Sequence, residues 1–163
     1  MPADFIVIIP ARYASNRLPG KPLLRIGTET LLENVYHSAI NSSAKAVYIA
    51  TDDENIAAEA KRFGGNAIMT DSSLMSGTDR LQAVSVILNL PADQIIVNLQ
   101  GDEYNFNPEH INQVANALDI NKAASIATLC QEIVDHDDMT NENIVKVVKD
   151  VSDYALYFSR SPI

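Results

Sequence analysis

The stretch that most restricts the fold is Phe5-Ile6-Val7-Ile8-Ile9, five apolar residues in succession, four of them β-branched. Such a run reads as a strand buried on both faces. A strand of that kind needs a covering layer on each side, which points to a parallel sheet held between helices. The periodicity downstream agrees. Leu31, Leu32, Val35, Ala39 and Ile40 fall at helical spacing behind a cap at Thr28 or Thr30, in a helix reaching about Ser42. Ala46 to Ala50 reads as a second buried strand, and Thr51-Asp52-Asp53 supplies the cap of a helix from Glu54 to Phe63, stopped by Gly64-Gly65. A short strand at Ala67 to Met69 follows, then a helix from about Thr78 to Leu90, opened by Ser76 or Thr78 and closed by Pro91. Gln94 to Leu99 is the next strand, and Pro108 opens a helix to Leu118. Further strands are expected at Ala124 to Leu129, Ile144 to Lys149 and Tyr154 to Phe158, with a polar loop or short helix over Glu132 to Met139. The expectation is an α/β protein, a mostly parallel sheet with helices on both faces. Its 163 residues suit one domain, and no linker, repeat or low-complexity run marks a boundary.

Composition removes several classes of function. A net charge of -9 argues against nucleic acid or an anionic membrane as a general partner. No apolar run is long enough to span a bilayer. Met1-Pro2-Ala3-Asp4 lacks the basic-then-apolar order of a secretory leader, so a soluble cytoplasmic protein is expected. Cys130 is the single cysteine; it ends the apolar run from Ser125 and is expected as a small buried hydrophobe. His37, His110 and His136 are scattered without metal-ligand spacing. Asp135 to Asp138 reads as a solvated loop, and Met69, Met75 and Met139 as gap fillers.

Against this acidic background the loop after the first strand stands out. Arg12, Arg17 and Lys21 lie within ten residues, with no acid between Ala11 and Thr28. Three cations leaving the end of a buried strand make a cradle for a polyphosphate. Charge alone fits a solvated basic loop equally well. Neither the Walker spacing nor the dinucleotide glycine fingerprint is present. Ligands of parallel sheets bind outside the carboxyl ends of the strands. The basic loop, Thr51-Asp52-Asp53 and Gln100-Gly101-Asp102 should therefore gather on one edge. In Gln100-Gly101-Asp102-Glu103, a carboxylate at a strand end facing a phosphate loop suits Mg²⁺, although Gly-Asp-Glu is also a common turn. Ser76-Gly77-Thr78-Asp79-Arg80 is a helix start, with a hydroxyl cap and an acid at the positive end of the dipole. Tyr154 to Phe158 carries alternating aromatics typical of sheet core, and Arg160 just beyond is placed to grip a carboxylate in bidentate fashion.

The order Ile-Pro-Ala-Arg-Tyr-x-Ser-x-Arg-Leu-Pro-Gly-Lys-Pro-Leu, from Ile9 to Leu23, resembles the signature loop of the sugar-activating nucleotidyltransferases. Among them it is most similar to the 3-deoxy-manno-octulosonate cytidylyltransferase (CMP-Kdo synthetase) family, and all four motifs stand in family order from Phe5 to Ile163. The resemblance implies a Rossmann-like nucleotidyltransferase fold. It implies transfer of CMP from CTP to the anomeric hydroxyl of Kdo, with release of pyrophosphate, for lipopolysaccharide biosynthesis. It assigns the triphosphate to the backbone near Ala11 and to Arg12 and Lys21, with Ser15 and Arg17 assisting. Asp102 takes Mg²⁺, Gln100 touches the nucleotide, Ser76 and Arg80 lie beside the cytosine, and Arg160 meets the sugar acid. Arg12, Lys21 and Asp102 would be the catalytic set, since attack on the α-phosphate builds charge that fixed cations stabilise. No general base stands out.

Family members continue past the residue where this chain stops. The resemblance assigns to that part further sugar contacts, a second metal carboxylate and much of a homodimer surface. The chain thus reads as C-terminally incomplete, with its nucleotide half present. It also departs from the family at Tyr104-Asn105-Phe106-Asn107, where a Pro and an apolar pair are usual, so the turn and the local sugar contacts are open there. Another acid sugar, of amino-Kdo or sialic-acid type, is an alternative substrate. A truncated, non-catalytic nucleotide-binding module is the alternative from a different class.

Overall fold

In the computed structural model, which describes residues 3–14 and 18–163, the apolar run is strand β1, Phe5–Ala11. A 3-10 turn at Lys21–Leu23 leads to β2 (Arg25–Ile26) and β3 (Glu29–Thr30), a short antiparallel pair turning at Gly27 and Thr28. Helix α1 (Leu31–Ile40), β4 (Ala46–Thr51), α2 (Glu54–Arg62) and β5 (Asn66–Met69) follow. Next come α3 (Gly77–Ile87), β6 (Ile95–Asn98) and α4 (Pro108–Ile120). The chain ends with α5 (His136–Thr140), β7 (Lys146–Lys149) and β8 (Ala155–Ser159). Two compact units result, Met1–Ala127 and Thr128–Ile163. No helix among the described residues is long and apolar enough to cross a membrane.

The first unit is built on a parallel sheet of order β5-β4-β1-β6. Successive side chains of a strand point to opposite faces, and β1 uses both. Phe5, Val7, Ile9 and Ala11 pack with Leu32, Val35, Ile56 and Ile111 of α1, α2 and α4. Ile6 and Ile8 pack on the other face with Ala50 and with Val84 of α3. Each fully buried side chain of this size contributes about 1.5–3 kcal/mol, so β1 anchors both halves of the core. The expected α/β architecture, with helices on both faces, is the one observed.

Helix starts are capped by short polar side chains, at Thr30 and Asp53 within the segments expected to supply the caps. Thr30 forms a capping box with Glu33, Asp53 accepts from the amides of Asn55 and Ile56, and Asn107 caps α4 ahead of Pro108. The α1 cap is tied to α2 by charge. Glu33, buried, accepts from the Thr30 amide and from the Arg62 guanidinium, which also bonds Glu59 at 2.8 and 2.9 Å. The hydrogen bond from Arg62 holds the Glu59 carboxyl below its ordinary value of 4.5. A carboxylate depressed on folding stabilises above the unfolded value and loses that contribution as pH falls through the folded one. Urea midpoints measured downward from pH 4.5 should therefore fall more steeply for the natural chain than for Arg62→Met. Parallel curves would remove this clamp from the acid response.

The second unit contains an antiparallel hairpin, β7 with β8, in its own two-stranded sheet. Its turn is held by Asp150, whose carboxylate accepts from the amides of Ser152 and Tyr154 at 2.8 and 2.9 Å.

Three local expectations are corrected. Ala124 to Leu129 is not a strand: the segment straddles the boundary between the units, and no described strand pairs with it. A short apolar run alone makes no strand without a partner edge. Cys130 follows the same segment and is exposed rather than buried. Met69, Met75 and Met139 are exposed and fill no gap. Of the loop and the short helix expected over Glu132 to Met139, the helix is observed: the Asp135 carboxylate accepts from the Asp137 amide and starts α5.

Candidate functional site

The chain moves from β1 outward to β4 and β5, then returns to lay β6 on the opposite edge of β1. This reversal opens a crevice outside the carboxyl ends of β1 and β6, the place where parallel sheets bind ligands. The loops that leave these two strands meet there. Lys21 Nζ lies 2.6 Å from Asp102 Oδ2 across 81 residues of sequence, with the two side chains 40% and 51% exposed. The sequence motifs of the basic loop and of Gln100-Gly101-Asp102 are thus joined by an ion pair at the sheet edge.

Two glycines make the approach possible. Gly20 has φ 70°, a left-handed conformation that glycine adopts without a Cβ clash. Its amide donates to the Tyr13 carbonyl at 2.9 Å and turns the loop toward Lys21. At Gly101 a Cβ would stand 2.9 Å from the Pro10 carbonyl oxygen, closer than side-chain carbons come to such atoms. The β6 turn therefore presses directly on the end of β1, beside Ala11. The start of α3 closes the third side: a Cβ on Gly77 would stand 3.5 Å from Pro10 Cγ and 4.0 Å from Gln100 Nε2.

Ser76 caps α3. Its hydroxyl accepts from the Asp79 amide at 3.0 Å, and the Asp79 carboxylate accepts from the Ser76 amide at 3.2 Å. Arg80, one turn on, has a side chain with no exposed surface. It donates to Asp52 Oδ2 at 2.9 Å and to the Thr70 hydroxyl, and among the described residues its Nε has no hydrogen-bond partner. Thr70 in turn donates to the Thr51 carbonyl at 3.0 Å. The guanidinium thus ties the ends of β4 and β5 to the first turn of α3, beneath the crevice rather than on its surface. Arg12 is exposed, and its guanidinium donates to the Leu74 carbonyl at 3.5 Å. Ser15 and Arg17 lie outside the described residues. Arg160 belongs to the second unit, where its guanidinium donates to the carbonyls of Glu142 and Asn143 at 2.9 and 3.4 Å.

The Tyr104 to Asn107 departure is not a loose turn. Asn105 adopts φ 54°, which asparagine tolerates, and its amide donates to Asn34 Oδ1 at 2.7 Å. Phe106 packs against the core. These contacts do for the loop what a proline would do by ring closure.

At this edge the Lys21 ammonium is paired with the Asp102 carboxylate. Among the described residues there is no group of three or more His, Cys, Asp or Glu that could hold a metal ion unaided. Magnesium is commonly held by one or two carboxylates together with substrate phosphates. A half-exposed Asp102 beside the Lys21 ammonium fits that mode rather than an all-protein cage.

Reading the residues alone passed over Asp52 and Thr70 as partners of Arg80, Asn34 as the anchor of the Asn105 turn, and Lys146. Only Asp52 carried a signal, since it follows a strand among the segments expected on this edge.

Comparison with known proteins agrees with this fold. The profile of the cytidylyltransferase family matches residues 6–163. The 3-deoxy-manno-octulosonate cytidylyltransferase of Cellvibrio japonicus is 55% identical over 160 residues, covering 98% of this chain and 63% of the relative. That of Hahella chejuensis is 52% identical over 159 residues, covering 98% and 62%. A solved structure of CMP:2-keto-3-deoxy-manno-octonic acid synthetase complexed with CTP superposes with a TM-score of 0.90 at 41% identity, covering 99% of this chain and 66% of that one. The chain spans a little under two thirds of the length of the relatives it matches.

Proposed function

We propose that this chain, which belongs to the cytidylyltransferase family, serves the transfer of CMP from CTP to the anomeric hydroxyl of Kdo, giving CMP-Kdo and pyrophosphate. The observation that carries the reading is the meeting of Lys21 with Asp102 at the switch point of the sheet, in a chain 41% identical to a synthetase solved with CTP. An exposed cation and an exposed carboxylate in contact form a pair that a metal-bound polyphosphate can divide between them.

In this reading Lys21 and Arg12, assisted by Ser15 and Arg17, hold the β- and γ-phosphates, and the backbone near Ala11 approaches the chain of phosphates. Gln100 faces the nucleotide. Ser76 and Arg80 frame the cytosine side, Arg80 by holding the first turn of α3 in place. Arg160 takes the carboxylate of the acid sugar. Asp102, together with phosphate oxygens, would hold Mg²⁺, which supplies charge neutralisation for the leaving pyrophosphate when bound. The sugar hydroxyl attacks the α-phosphorus in line, its bond to pyrophosphate breaks, and the hydroxyl proton passes to solvent. Cations fixed before the reaction stabilise the charge that develops, and positioning supplies the rest.

The product would enter lipopolysaccharide assembly, and the reaction belongs in the cytoplasm, where CTP is made. The longer form is read as a homodimer. Leu156, Tyr157 and Phe158 of β8 are exposed, apolar surface of the kind that assemblies cover.

The test is pyrophosphate release from CTP, ATP and UTP by the full-length protein, with Mg²⁺ and a panel of Kdo, an amino-substituted Kdo and sialic acid. The expected result is release with CTP and Kdo above all other pairs. Preference for another acid sugar would change the substrate. Nucleotide binding without release for any sugar would replace the enzyme by a binding module.

A further inference from the structure

Lys146 has no part in the nucleotide site, yet it is 5% exposed, in a strand whose other lysine, Lys149, lies at the surface. Its ammonium donates to three main-chain carbonyls: Asn141 at 2.7 Å, Ile144 at 3.1 Å and Arg160 at 2.6 Å. An ammonium has three donors, so the group is fully bonded without a carboxylate. The two carbonyls between those of Asn141 and Ile144 turn the other way. Glu142 and Asn143 accept from the Arg160 guanidinium, at 2.9 and 3.4 Å. One four-residue segment therefore grips two cations, with its outer carbonyls on Lys146 and its inner ones on Arg160.

Arg160 is thus fixed at both ends through Lys146. Its carbonyl is bonded to the ammonium directly. Its guanidinium rests on a segment that the same ammonium gathers. Both bonds leave from one guanidinium nitrogen, Nη1, and the group carries further N–H donors beyond these. Carbonyls neutralise neither charge, so Arg160 retains a full positive charge for an anion. Holding a buried ammonium on neutral dipoles alone is a costly way to build a hairpin turn; an apolar residue would pack there without that cost.

We propose that Lys146 is a positioning residue for recognition of the acid sugar, setting the direction from which Arg160 meets the sugar carboxylate. The inference rests on the reading that Arg160 takes that carboxylate.

The test uses the full-length protein with Lys146→Met, Lys146→Gln, Arg160→Met and the double variant Lys146→Met/Arg160→Met. Pyrophosphate release is followed with each substrate varied in turn, and CTP affinity is measured by calorimetry. Lys146→Met should raise KM for the acid sugar about tenfold or more, the scale of a lost charge-assisted contact. KM for CTP should stay within about twofold, because uniform damage to the fold moves both. Added to Arg160→Met, it should cause no further rise, since it acts through that residue. Equal rises for both substrates, or additive effects in the double variant, would overturn the proposal. Loss of CTP binding in both single Lys146 variants would assign the residue to folding and overturn it too. A natural chain active with an acid sugar, beside an unmoved KM in Lys146→Met, overturns the positioning role alone. A natural chain inactive with every acid sugar overturns the reading beneath it, and this role with it.

Discussion

Asp52→Asn is expected to lower the stability of the first unit by about 3–5 kcal/mol, the cost of stranding one partner of a buried ion pair. Arg80 has no exposed side-chain surface and Asp52 is 13% exposed, so water has little access to either group. The carboxamide keeps the shape of the carboxylate and its oxygen can still accept a hydrogen bond, but the substitution removes the charge that faces the buried guanidinium. The pair itself is not the source of the stability. Desolvation of two charges offsets most of their attraction, so replacing both by apolar groups is expected to be far milder. Urea unfolding of Asp52→Asn beside Asp52→Leu/Arg80→Met separates these terms. A large loss in the single variant and a small one in the double is the expected pattern. A loss under about 1 kcal/mol for Asp52→Asn is what an exposed pair would give, and would show Arg80 to be solvated. The effect should reach the site as well, because this pair fixes the turn of α3 whose Gly77 packs against Pro10.

The sequence was most legible where one physical demand dominates. Five apolar residues at Phe5 to Ile9 demand two covered faces, and β1 has them. Thr30, Asp53 and Ser76 lie before helical periodicity and cap helices. The meeting of Lys21 with Asp102 was legible only through topology: both follow strands, and parallel strands bring such loops to one edge. Arg80 was less legible. The helix wheel says which way a residue points, not what lies over it, and the covering groups Asp52 and Thr70 come from two other elements. Lys146 was hidden for a similar reason. A lysine in a strand reads as solvated, and its three acceptors are main-chain carbonyls that no sequence pattern marks. The false strand at Ala124 to Leu129 has the opposite cause. Its short apolar run satisfies the local rule for a strand, but pairing is a property of two segments, and none of the described strands takes it up.

Lys21→Ala should weaken CTP binding by about 1.5–3 kcal/mol, roughly ten- to a hundredfold, the range for a hydrogen bond to a charged group. The contact with Asp102 does not cancel this. Both side chains are about half exposed, and an exposed pair is worth about 0–1 kcal/mol, so phosphate displaces the carboxylate from Lys21 at a net gain. Turnover should fall further than affinity, by about 10²–10³, because charge on the leaving oxygens grows toward the transition state and Lys21 is fixed to meet it. Asp102→Asn separates the two halves of the pair by sign. Removing the carboxylate frees Lys21 and removes a negative charge from beside the phosphates. Metal-free CTP should then bind as well as before or more tightly, while turnover with Mg²⁺ falls. Calorimetry with CTP, with and without Mg²⁺, and initial rates of pyrophosphate release measure both. If Lys21→Ala left CTP affinity unchanged, the basic loop would be solvated surface. If Asp102→Asn weakened metal-free binding, the carboxylate would be serving to hold the loop in shape rather than to receive the metal.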